Sequence, residues 1–131
     1  VIPSCNGPEQ LKATTLSFLR RQRIPQRRIE VWLPPGDGAG EELAVKEQYR
    51  RVLAKEWPKL QFRVGVAGLS EQRRHIDSQY PEGAHIVSLD DDVQDVHHKC
   101  RCGTGAETLQ PLPEGALEAL IHHASDLMKQ E

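Results

Sequence analysis

Two spacings of apolar residues alternate along this chain, one suited to strands and one to helices. A short apolar run at Val1–Ser4 breaks at Asn6, Gly7 and Pro8, and Leu11, Leu16 and Leu19 then recur among polar residues at roughly helical spacing. This predicts strand, loop, helix. After Pro25 the β-rich run "IEVWL" ends on Pro34, Pro35 and Gly36, which predicts a second strand and a breaker-rich loop. "EELAVKEQYRRVLAKEW" carries Leu43, Tyr49, Val52 and Leu53 among opposite charges, as a helix with one buried face would. "LQFRVGVAG" alternates Leu60, Phe62, Val64 and Val66 and predicts a third strand. "LSEQRRHIDSQYP" predicts a short helix capped by Ser70 and closed before Pro81. "HIVSLDDDV" predicts a fourth strand. The polar, glycine-marked stretch "HHKCRCGTGAETLQPLPEG" predicts a loop, and "ALEALIHHASDLMKQE" a last amphipathic helix with Ala116, Leu117, Leu120, Ile121, Ala124 and Met128 near one face. Alternating strands and helices of these lengths predict an α/β, Rossmann-like, mostly parallel sheet with crossover helices.

Composition narrows what such a sheet would serve. At 131 residues the chain suits one domain, residues 1–131, with a single core. The formal net charge of −2 excludes a broad basic field for nucleic acid and a polybasic tail for anionic lipid. No run approaches the roughly 18 apolar residues of a membrane span, and no signal peptide opens the chain. Three cysteines, two of them one residue apart at Cys100 and Cys102, do not form a disulfide framework. The expected setting is intracellular, cytoplasmic or nuclear. The sequence opens on a strand pattern at Val1 and closes on a helical pattern at Glu131, so further residues of a larger domain are expected beyond its C-terminal end.

The candidate chemistry lies where the fourth predicted strand meets Asp90, Asp91 and Asp92. In open parallel sheets ligands bind at the carboxyl ends of strands. Three adjacent carboxylates repel one another, so a cation or solvent must compensate them. Mg²⁺ or Mn²⁺ takes oxygen ligands, commonly one or two carboxylates together with phosphate oxygens. Side chains alternate along extended backbone, which sends Asp90 and Asp92 to one side and Asp91 to the other. The plainer reading is a solvated strand end, for which glycine or asparagine would serve better.

These stretches resemble GT-A nucleotide-sugar glycosyltransferases of the family-2 type. "VIPSCNGPEQLKATTLSFLRRQ" is similar to that family's first strand, Asn-x-Pro turn and first helix; "IVSLDDDV" is similar to its DXD element; and "GLSEQRRHI" is similar to the small helix with a basic residue before it. The likeness runs from Val1 to Val93. It implies that Pro3 and Ser4 line the nucleotide base and that Arg73 reaches the base or a phosphate. It implies that Asp90 or Asp91 meets the ribose or sugar, and that Asp92, with Asp90, binds the Mn²⁺ or Mg²⁺ that bridges the diphosphate. The implied activity is transfer of a sugar, with uridine as the expected base, from a nucleoside diphosphate to an acceptor hydroxyl. The metal would stabilise the departing diphosphate. Where the family's second strand often ends in an acidic residue, this chain has Leu33, Pro34 and Pro35 before Asp37. The family's catalytic base lies in the second half of its fold, which places it beyond Glu131. "LQPLPEGALEALIHHASDLM" also resembles the glucosyltransferases of base J synthesis and the related dioxygenase-associated domain, which implies a nuclear acceptor. The acceptor is thus a protein hydroxyl, a glycan or a modified DNA base. Two other readings stand beside this one: a catalytically inactive GT-A-like interaction module, and a nucleotidyltransferase, whose glycine-rich basic loop "PSCNGPEQLK" does not supply.

The other clusters read more simply. His97, His98, Cys100 and Cys102 are zinc-ligating types, but their spacing is cramped and no second pair accompanies them, so a surface loop is expected. His122 and His123 are expected to be satisfied or exposed. The five arginines of "RRQRIPQRR" are expected to stay solvated near a helix end. Cys5 has no base beside it in sequence.

Overall fold

The computed structural model describes residues 1–38, 40–101 and 103–130. Its centre is a parallel sheet of β1 (Ile2–Pro3), β2 (Glu30–Leu33) and β3 (Gln61–Val64), in that order. Ile2 pairs with Val31, and Val31 with Phe62. Alternation along β2 decides what lies on each side of it. Ile29, Val31 and Leu33 enter a core with Ile2, Leu11, Leu16, Phe18, Leu53 and Trp57, all 4% exposed or less. Trp32 faces the other way, and the ring of His75 meets it edge-on at 5.7 Å. Burying side chains of this size is the main stabilising term, roughly 1.5–3 kcal/mol each.

Helices cover both faces of the sheet. α1 (Pro8–Leu11) passes through a π-helical turn (Lys12–Leu16) into α2 (Ser17–Arg21). α3 (Glu41–Leu53) contributes Tyr49 and Leu53 to the same core. α4 (Leu69–Ser78) lies on the opposite face, contributing Gln72 and Ile76. It starts at Leu69 after Gly68, whose φ of 87° is open to glycine, so Ser70 falls inside the first turn instead of capping it. α5 (Ala116–Lys129) docks by its first turn. Leu117 is buried and its N–H donates to Gln22 Oε1 at 2.9 Å, while Arg28 and Glu118 pair at 2.5 Å. Ile121 is half-buried, but Leu120 and Met128, expected on the inner face, are exposed. α5 touches the core at one end only.

Two expected elements differ. The stretch "HIVSLDDDV" is not a strand. It exchanges one pair of hydrogen bonds with Val1, just before β1: Val1 N donates to Val87 O at 2.8 Å, and Leu89 N to Val1 O at 3.0 Å. The next rung would need an N–H at Pro3, which proline lacks, and the chain turns away at the aspartates. The predicted loop after it is an antiparallel hairpin, β4 (His97–Arg101) with β5 (Glu107–Pro111). Its residues are half-buried or exposed, so it lacks the apolar alternation that marks a strand in sequence. A five-pair backbone ladder joins the strands, and Lys99 and Arg101 both reach Glu107 across it, at 3.6 and 3.9 Å. Among the described residues no helix is long and apolar enough to cross a membrane.

Candidate functional site at the carboxyl ends of the strands

The three aspartates have three different environments. Asp91 is buried, whereas Asp90 and Asp92 are exposed, and the backbone turns at Asp91 and Asp92. Asp91 Oδ2 accepts from Ser4 Oγ at 3.0 Å and from the backbone N–H groups of Cys5 and Asn6, both at 3.1 Å. Its Oδ1 accepts from Asn6 Nδ2 at 2.9 Å. Successive N–H groups converging on one carboxylate form an anion nest. Burial pushes the Asp91 carboxyl upward, but hydrogen bonds from the Asn6 backbone and side chain, Ser4 and the Cys5 backbone together hold it below the ordinary aspartate value. Asp91 is therefore a latch between the loop after β1 and the aspartate turn. The sugar contact that resemblance allowed for it is taken up by these internal donors.

Further groups extend the latch on both sides. Because Ser4 Oγ donates to Asp91, its 3.0 Å contact with Tyr49 is a hydrogen bond donated by the tyrosine hydroxyl. Burial raises the Tyr49 pKa and keeps that hydroxyl a donor. The π turn holds the backbone of the aspartates. Thr15 Oγ1 donates to Asp90 O at 2.6 Å and accepts from Val93 N at 2.9 Å, clamping the turn from both ends. Thr14 Oγ1 lies 2.9 Å from Asp91 O and 2.7 Å from Gln10 O, so its one proton is shared. Wide turns of this kind recur at functional sites. Asn6, Thr14, Thr15 and Tyr49 were not among the residues expected from sequence. The available signal was two adjacent β-branched hydroxyl residues inside a helix, where they are unfavourable unless used.

The outward aspartates face different partners. Asp90 forms an ion pair with Arg73 of α4, and among the described residues the Asp92 carboxylate has neither a hydrogen-bond nor an ion-pair partner. Arg73 and Asp90 line a cleft of about 460 Å³ with Ile76, Asp77, Leu89 and Val93. A second cleft, of about 140 Å³, opens at the ends of β1 and β2, walled by Pro3, Cys5, Trp32, Pro34, Val66 and Leu69. Pro3 and Ser4 both line this cleft, and the Ser4 hydroxyl is also engaged by Asp91 and Tyr49. Gln72 forms the floor, its Oε1 accepting from Val66 N at 2.7 Å and its Nε2 donating to Leu33 O at 3.1 Å. A Cβ on Gly65 would stand 2.0 Å from Gln72 Oε1, so only glycine leaves room for this tie.

Asp90 and Asp92 are carboxylates, the oxygen ligands that hard divalent cations take, and Asp90 is occupied by the Arg73 guanidinium. Among the described residues no three His, Cys, Asp or Glu side chains converge, so the remaining ligands would be water and phosphate oxygens. In the hairpin, the His98 ring lies 3.3 Å from Cys100 Sγ, while Cys102 is outside the described residues. The arginine run is largely paired: Arg20 with Glu56, Arg23 with Glu114, Arg28 with Glu118, and Arg21 with the Gln94 carbonyl. His122 and His123 are exposed. No family model, curated protein or solved structure matches this chain.

Proposed function

We propose that this chain is the donor-binding part of a GT-A-type glycosyltransferase, taking a nucleoside diphosphate sugar, with uridine as the base, together with Mn²⁺ or Mg²⁺. The observation that supports the reading is the ion pair of Arg73 with Asp90 on a cleft at the carboxyl side of a parallel sheet, with an apolar cleft at the ends of β1 and β2. With segment 86–89 on the free edge of β1, the order runs β3, β2, β1, then 86–89. This order resembles that of a doubly wound sheet, in which ligands lie outside the strand ends where the order reverses, and the reading puts the aspartate turn at that reversal.

In this reading the 140 Å³ cleft takes the base between Pro34, Val66 and Leu69. Asp90 and Asp92 hold the cation, and Arg73 binds the diphosphate. The bound cation supplies Lewis acidity to the departing nucleoside diphosphate. Asp91, Ser4, Tyr49, Thr14 and Thr15 keep the turn in place. No residue of this chain is assigned to deprotonation of the acceptor, and the acceptor class stays as broad as a protein hydroxyl, a glycan or a modified DNA base. Calorimetric titration of the chain with UDP and Mn²⁺ tests the reading. Saturable binding that Asp92→Ala abolishes is expected, and equal binding by that variant would refute it.

A further inference from the structure

We propose that the Arg73–Asp90 ion pair is a built-in competitor of the divalent cation, so that the site admits metal together with a diphosphate and resists metal alone. The inference rests on the donor-site reading above and assigns Arg73 two opposed roles. In the structure its guanidinium contacts Asp90 Oδ1, while Asp92 has no partner among the described residues. The side chains are 47% and 53% exposed, so the pair can open without disturbing the core. A divalent ion arriving alone must displace this guanidinium and then sit beside its charge. Exposed ion pairs of this kind set a competition factor of about two to five. A diphosphate reverses the balance. Its oxygens offer the planar guanidinium a bidentate acceptor stronger than one exposed carboxylate oxygen, and Asp90 is released to the metal. The same side chain thus opposes the cation in the empty site and supports the anion in the filled one.

The two roles predict effects of opposite sign. Mn²⁺ alone is titrated into the full chain and followed by the electron paramagnetic resonance of the free ion; Mn²⁺ with UDP is followed by calorimetry. Wild type, Arg73→Gln, Arg73→Lys and Asp92→Ala are compared. Arg73→Gln should bind Mn²⁺ alone about two- to five-fold more tightly and Mn²⁺ with UDP about ten-fold more weakly. Arg73→Lys keeps the point charge and should leave Mn²⁺ alone within about two-fold of wild type, while weakening the ternary complex through loss of the fork. A supporting structural role for Arg73 would weaken both titrations together, and that result, or unchanged Mn²⁺ affinity in Arg73→Gln, overturns the proposal. If wild type binds no Mn²⁺ with UDP, or Asp92→Ala binds it equally well, the donor-site reading itself falls, and this coupling with it.

Discussion

Replacing Asp91 by Asn removes one charge and almost no volume, so it isolates what the anion does in the latch. Three donors converge on Oδ2 and one on Oδ1. A hydrogen bond to a charged group contributes about 1.5–3 kcal/mol, against about 0.5–1.5 kcal/mol for a neutral pair. The asparagine oxygen can still serve the three donors on one side. Its amide then meets Asn6 Nδ2, donor against donor, until Asn6 rotates. Cys5 and Asn6 are exposed and their bonds are partly screened, so the expected loss is about 2–3 kcal/mol at pH 7, or on the order of 10 °C in the thermal midpoint. The dependence on pH has a definite sign. The folded pKa of Asp91 lies below the ordinary value of 3.8, so its contribution is complete above that value and lost as pH falls through the lower, folded one. Urea unfolding of wild type and Asp91→Asn at pH 7, 4 and 2.5 should therefore show a gap that narrows below pH 3.8. A loss under about 0.5 kcal/mol at pH 7, or a gap that persists undiminished in acid, would refute the latch.

Thr15→Val keeps the shape of the residue but leaves Val93 N and Asp90 O without their partner. Urea unfolding should show a loss of about 2 kcal/mol, and an unchanged midpoint would count against the clamp. Gly65→Ala should cost about 1–3 kcal/mol by overpacking against Gln72, and less than half as much in a Gln72→Ala background; equal costs in the two backgrounds would remove the steric explanation. Asp92→Ala removes an exposed, unpartnered carboxylate, so its thermal midpoint should match wild type or exceed it slightly, and a marked destabilisation would show that Asp92 has a structural partner.

The layered core was legible in the sequence because burial enforces periodicity. Val31 and Leu33 alternate with Trp32 across two covered faces, and Leu11, Leu16 and Leu19 recur roughly as a helix face does. The hairpin was not legible, since its residues are exposed or only half-buried and leave no hydrophobic pattern. Segment 86–89 has a strand's sequence and a strand's neighbour, but after Val1 the next donor in the ladder would be Pro3, which has no N–H, so its register stops after a single exchange. For the site, the expected separation of Asp91 from Asp90 and Asp92 agrees with their burial, although the backbone there is a turn and not the extended chain the expectation assumed. The direction of Asp91 into a nest was not, because the donors are two backbone N–H groups more than eighty residues away, and backbone donors have no letter in a sequence. The pairing of Arg73 with Asp90 likewise depends on how α4 lies against the turn, which no local spacing sets.

If Asp90 and Asp92 hold a cation that a nucleoside diphosphate completes, Mn²⁺, being paramagnetic, reports its own position. In an amide ¹H–¹⁵N spectrum of the isotope-labelled chain with saturating UDP, small additions of Mn²⁺ should broaden the resonances of Asp90, Asp92 and Val93 first, then those of Asn6 and Arg73. The effect should be much weaker without UDP. Broadening centred on His97–Cys100 of the hairpin, or none at the aspartate turn with UDP present, would contradict the account.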